Sequence, residues 1–114
     1  GGEVNGIIMS LVGFGAVNFL SKVKADIAIL GSSGFQGHNG PASKDFDDAE
    51  VKRLMIANSK SVVVIADSTK AESTALVEYC GWDETDYFVT DSNISKEVAA
   101  KIQNKAKVLI AEDK

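Results

Sequence analysis

Two short stretches of the chain gather residues able to hold an anion. "GSSG" (Gly31–Gly34) opens a glycine-rich run with four glycines in ten residues. Glycine lets backbone N–H groups approach a ligand closely, and the hydroxyls of Ser32 and Ser33 add donors, a combination suited to phosphate. Gly40 closes that run. "DSTK" (Asp67–Lys70) sets a carboxylate three residues before an ammonium, directly after "VVVIA". Lys70 would neutralise an anion while Asp67 orients it or a hydroxyl. Each stretch has a plainer alternative. "GSSG" taken alone reads first as a flexible loop, and Asp67 has an equal reading as a turn cap with Lys70 in water. Glu50 could accept hydrogen bonds from sugar hydroxyls, or serve its own helix through the Asp47-to-Glu50 capping-box spacing. The adjacent Lys52 and Arg53 read on the helix alone as solvated surface charge.

Other chemistries lack support. The glycine run has no Gly-Lys-Ser/Thr ending, so it is not a Walker loop, and no helix opens directly after it as a dinucleotide fingerprint requires. His38 is the single histidine and Cys80 the single cysteine. They offer no metal-ligand spacing and no nucleophile pair, so neither a metal nor a cofactor is expected. Cys80 reads as a packed residue, and Trp82, Tyr87 and Phe88 as packing at a sheet edge or a subunit interface. With 12 basic against 16 acidic residues the net charge is −4. The basic residues are dispersed, so this chain by itself is not expected to touch nucleic acid.

The elements that must position these residues alternate. "GIIMSLV" (Gly6–Val12) has strand length, and "GFGAVNFLSKV" (Gly13–Val23) helical spacing. A buried strand over Ile27–Leu30 stops at Gly31. The run through Lys44 is a loop holding the only proline. "DFDDAEVKRLMIANS" is the clearest helix, with Val51, Leu54, Met55 and Asn58 on one face. "SVVVIAD" is apolar on both faces, as in a parallel sheet. "ALVEYCGW" is a candidate edge strand, "DYFVTD" a short strand, "SKEVAAKIQNKA" a helix and "KVLIAE" a final strand. This order predicts an α/β fold, a mostly parallel Rossmann-like sheet with helices on its faces. In such a sheet Gly31–Gly34, the start of the helix near Glu50, and Asp67–Lys70 converge on the rim beyond the strands' carboxyl ends, where ligands bind. At 114 residues one domain is expected. No apolar run reaches a membrane span and no basic leader precedes the first one, so neither a membrane nor a secreted location is expected. The lone cysteine fits a reducing cytoplasm.

The ordered set "KADIAILGSSGF…DFDDAEVKRLMIANSKSVVVIADSTK…DYFVTDSNI" resembles the C-terminal sensor domain of DeoR-family bacterial transcriptional regulators, from about Gly1 to Glu112. No single motif is specific; their order and spacing are. The resemblance implies similarity to the ribose-5-phosphate isomerase and CoA-transferase superfamily. It also implies a former active site that binds a phosphorylated sugar and so modulates an N-terminal helix-turn-helix. Carried onto this sequence, it makes Asp67 and Lys70 the family's Asp-x-Ser/Thr-Lys, Glu50 its helix-start glutamate, and Gly31 and Gly34 its glycine loop. Lys52 matches a recurrent lysine of unassigned role. The expected effector-binding set is thus Gly31, Ser32, Ser33, Gly34, Gly40, Glu50, Lys52, Asp67 and Lys70.

The resemblance also sets limits. The isomerase has acidic residues where this chain has "GSSG", and a Lys-Gly-Gly-Gly stretch where it has "NGPAS". Proton transfer between sugar carbons needs a positioned base with its partners, so binding without turnover is expected and no catalytic residue is assigned. The alternatives are a pentose-phosphate isomerase relative and an oligomerisation domain with a vestigial site. The family's domain begins before the residue numbered 1 here, with further β-α units and the helix-turn-helix. The chain therefore reads as an N-terminally truncated sensor, contacting operator DNA only through that other domain. An exposed sheet edge and a homodimer or homotetramer are expected.

Overall fold

A computed structural model describes residues 25–111. The strand and helix expected over residues 6–23 lie outside the described residues. β1 spans Ala25–Leu30, β2 Ala42–Ser43, α1 Phe46–Ala57, β3 Ser59–Ile65, β4 Val77–Glu78, β5 Tyr87–Asp91, α2 Lys96–Gln103 and β6 Lys107–Ala111. Short 3-10 turns occupy Ser68–Ala71 and Trp82–Glu84. Four strands form one sheet in the order β1-β3-β5-β6, and all three pairings are parallel. The α/β fold with a parallel sheet is as the sequence predicts.

One part differs from expectation. "ALVEYCGW" is not an edge strand of the main sheet. Its Val77–Glu78 pairs antiparallel with Ala42–Ser43, inside what the sequence presents as a plain loop. Two residues are too few to show the period-2 alternation that marks a strand. Both helices among the described residues lie on one face of the sheet, and the helix expected over residues 13–23 lies outside them. Strand order follows chain order, and right-handed crossovers between parallel neighbours then place every connection on the same side.

The side chains follow this asymmetry. Ala28, Leu30, Val62, Val64 and Phe88 alternate onto the helix-covered face and are at most 4% exposed. They form one core with Ala49, Val51 and Met55 of α1 and with Ile102 and Ala106 near α2. Ile27, Ile65, Tyr87 and Leu109 alternate onto the other face and are 40–55% exposed. The "VVVI" of β3, apolar on both faces, fits a strand whose two faces are both meant to be covered. Phe88 and Trp82 do not pack at an edge. With Phe35 they form an edge-to-face aromatic cluster, centroids 4.9–5.6 Å apart, inside the core. Of the aromatic residues assigned to an edge, Tyr87 is the exposed one.

Helix α1 begins two residues earlier than its spacing suggests. Asp45, not Asp47, is the N-cap, and its carboxylate accepts from Asp48 N–H at 2.7 Å. Phe46 follows it as the first helical residue, so the Asp47-to-Glu50 box does not form. Ser95 caps α2 by accepting from Val98 N–H.

Candidate functional site

β1 and β3 end side by side. Leu30 pairs with Val64 and Ile65 with Val89, so Gly31, Asp67 and Asp91 leave the sheet at the same rim. The glycine loop and the Asp-Ser-Thr-Lys turn are then tied to one another. Phe35 N–H donates to Lys70 O at 2.9 Å, Gln36 N–H donates to Ser73 O at 2.9 Å, and Phe35 bridges Thr74. Ser68 N–H donates to the Asp91 carboxylate at 2.8 Å, joining the turn to the end of β5.

Inside the glycine loop most polar groups bond within the protein. Ser33 N–H donates to Ala42 O at 2.9 Å. The buried Ser32 hydroxyl accepts from Ala42 N–H at 3.0 Å and from Gly34 N–H at 3.3 Å, and donates to Ala42 O at 3.2 Å. Ser32 is therefore a staple of the loop. Ser33 is exposed, with its hydroxyl at the surface. Gly34 has φ +155°, and a Cβ there would stand 2.6 Å from Ser73 O. Gly40 is buried against Cys80 O and Gly81, and no side chain fits.

Asp67 is the N-cap of its turn. Its carboxylate accepts from Thr69 N–H at 2.9 Å and also from the Thr69 hydroxyl. The Thr69 hydroxyl leads in holding the Asp67 carboxyl below its ordinary value, with Lys70 among the further causes. Lys70 is half-buried, and no ion pair to a described residue uses its ammonium. Glu50 is exposed on α1.

Lys52 departs most from its sequence reading. It is 2% exposed rather than solvated. Its ammonium pairs with Asp48 at 3.0 Å, donates to Gly31 O at 3.3 Å and lies 5.0 Å from the centre of the Tyr79 ring. The Tyr79 hydroxyl donates to the same Gly31 carbonyl at 2.7 Å. Burial pushes the Tyr79 hydroxyl well above its usual pKa, so it remains a donor. Arg53 is exposed yet donates to Tyr79 O at 2.8 Å. The carbonyl where β1 meets the glycine loop is thus gripped by two donors from different segments.

Tyr79 and Asp48 were not singled out by sequence reasoning. The i,i+4 spacing of Asp48 and Lys52 was a usable signal for the pair; nothing local marks Tyr79. Asp91 lies in the quoted "VTD", but its tie to Ser68 follows only from strand order. Cys80 is buried, and desolvation raises its thiol to about 11, so it is an inert packed residue. Among the described residues no group of histidine, cysteine, aspartate and glutamate could hold a metal. No helix among them is long and apolar enough to cross a membrane.

The bond from Ser68 gives the rim a pH dependence. Hydrogen bonds from Ser68 hold the Asp91 carboxyl below its ordinary 3.8, and the Asp67 carboxyl is lowered too. A depressed folded-state pKa contributes stability above the unfolded value, lost as pH falls through the folded one. Urea midpoints are therefore expected to drop as pH falls from about 4 downward, and to drop less steeply in Asp91→Asn. Equal slopes would show that the Ser68 bond does not bias this titration.

This is a parallel α/β module whose strand ends carry a braced glycine loop and a cationic turn, the rim position at which such sheets hold ligands. The chain belongs to the DeoR C terminal sensor domain family, whose model matches residues 1–92. It is 27% identical over 104 residues to the HTH-type transcriptional regulator GlpR of Haloferax volcanii, covering 91% of this chain and 41% of that protein. It is 28% identical over 92 residues to the glycerol-3-phosphate regulon repressor of Escherichia coli, covering 81% and 36%. It is 32% identical over 91 residues to the HTH-type transcriptional repressor GlcR of Bacillus subtilis, covering 80% and 35%. The chain spans about two fifths or less of these relatives' length. No solved structure gives a significant match.

Proposed function

We propose that the chain is the effector-binding part of a cytoplasmic transcriptional repressor of carbohydrate metabolism. In this reading it binds a phosphorylated sugar or polyol at the strand-end rim without turning it over. The observation that carries the proposal is the bracing of the Gly31–Gly34 loop against the Asp67–Lys70 turn, with the Lys70 ammonium in no ion pair to a described residue. The relatives' names support it, two of them being repressors and one the repressor of a glycerol-3-phosphate regulon.

In this reading Lys70 meets the phosphate, with the Ser33 hydroxyl and Gly31 and Gly34 at its margin. Asp67 orients Thr69 and the ligand's hydroxyls, and Glu50 accepts from hydroxyls further out. Ser32, Gly40 and Lys52 shape the loop rather than touch the ligand. Binding changes operator affinity because the ligand's free energy differs between the DNA-competent and DNA-incompetent states. The DNA-reading part and the symmetric pairing suited to palindromic operators belong to the longer protein.

Lys70→Ala tests the assignment. Loss of one charge-assisted contact of about 1.5–3 kcal/mol should weaken binding of a phosphorylated sugar by roughly 10- to 150-fold. Calorimetric titration of the wild-type and variant full chains measures it, and an unchanged affinity would remove Lys70 from the site.

A further inference from the structure

The crossover from β3 to β5 contains no full α-helix. It runs through the two 3-10 turns and β4. Between it and α2 lies a cavity of about 490 Å³, walled by the Phe35–Asn39 loop, Ala71, Trp82 and the stretch from Val98 to Lys105. None of the nine rim residues lines it. Its volume falls in the range of small-molecule sites.

The cavity's chemistry is asymmetric. Phe35, Trp82 and Ile102 supply a buried apolar floor, each no more than 6% exposed. Lys101 on α2 and Lys105 just beyond its end stand exposed at its wall, and no ion pair to a described residue engages either. No carboxylate is among the lining residues, although the chain carries 16 acidic residues against 12 basic. The carboxylate of Glu78 is already engaged by Asn39 N–H at 2.7 Å and lies 3.6 Å from His38. His38 in turn contacts Ala75 O through Nε2 at 2.7 Å.

We propose that this cavity is a second ligand site, separate from the strand-end rim, for a small organic anion with an aromatic or apolar body. The body lies against Phe35, Trp82 and Ile102, and the anionic group sits between Lys101 and Lys105. A rigid apolar floor with a few convergent polar groups is the usual build of such sites. Two ammoniums with no acid between them select the sign of charge.

Trp82 is the only tryptophan of the chain and lines this cavity, so a probe bound there quenches it most strongly, and the lysine variants distinguish that site from binding elsewhere. The probe is 8-anilinonaphthalene-1-sulfonate, an aromatic sulfonate, titrated into the folded full chain. Saturable quenching of Trp82 with sensitised probe emission is expected. Lys101→Gln/Lys105→Gln should weaken the probe at least tenfold, with thermal melting unchanged. Lys96→Gln, which alters an exposed lysine at the start of α2 outside the cavity, should leave the probe's affinity as in wild type, as should Lys70→Ala. The uncharged N-phenyl-1-naphthylamine should bind wild type and the double variant alike. Absence of quenching, equal probe affinity in the double variant, or equal weakening by Lys96→Gln or Lys70→Ala would each overturn the proposal.

Discussion

Lys52→Met is expected to destabilise the domain by about 3–5 kcal/mol, the range for removing one partner of a buried ion pair. A domain of this size has a total stability of roughly 5–15 kcal/mol, so the variant comes close to unfolding. The cost arises from what remains rather than from what is lost. Asp48 is 8% exposed, and without the ammonium at 3.0 Å its carboxylate is left charged in a poorly hydrated place. The Gly31 carbonyl loses one donor but keeps the Tyr79 hydroxyl at 2.7 Å. Replacing both members by apolar residues, Asp48→Leu/Lys52→Met, should therefore recover most of the stability. Urea denaturation checks this through a large midpoint shift in the single variant, a small one in the double, and a common slope. Equal losses in both would locate the effect in packing of the lysine stem rather than in the stranded charge.

Gly40→Ala is the second large effect, on the order of 3 kcal/mol, the upper end of overpacking costs. Gly40 is buried, and an added Cβ would collide with Cys80 O and come 2.8 Å from Gly81 Cα. Both obstacles are backbone, so no side-chain rotation relieves them. The Cys80–Gly81 segment is also held, because Tyr79 N–H donates to Pro41 O and Trp82 N–H donates to Asn39 O, both at 3.0 Å. Moving it disturbs the seat of Tyr79 and hence the grip on Gly31. Gly37→Ala offers a contrast. An added Cβ there meets nothing within 4 Å, and its φ of +81° carries only the backbone penalty. Thermal melting of the two variants should separate them by several degrees. Equal melting points would mean that the Gly40 loop moves freely.

The parallel sheet was legible because hydrophobic runs and glycine exits are local signals. β1, β3 and β5 overlap the strands expected over Ile27–Leu30, "SVVVIAD" and "DYFVTD", with β1 starting two residues earlier and β3 shifted two residues towards the N-terminus. Convergence of the glycine loop and the Asp-Ser-Thr-Lys turn on one rim followed from parallel order alone. What stayed hidden depends on contacts distant in sequence. The Lys52 ammonium meets Gly31 O across 21 positions, and the Tyr79 hydroxyl meets it across 48. No window of sequence distinguishes such a lysine from a solvated one. The capping box failed for a local reason: three aspartates lie within Asp45–Asp48, and Asp45, just before Phe46, accepts from Asp48 N–H and leaves Asp47 inside the first turn. The Ser32 staple was likewise illegible, since its partner Ala42 belongs to a strand of two residues.

The ligand proposed for the rim is a phosphorylated sugar or polyol. Isothermal titration of the full chain with glycerol 3-phosphate and a panel of hexose and pentose phosphates, each beside its unphosphorylated parent, tests it most directly. Saturable heat is expected from at least one phosphate ester, none from its parent, and a sharp loss in Lys70→Ala. Absence of heat across the whole panel, or equal heat from a phosphate ester and its parent, would contradict it.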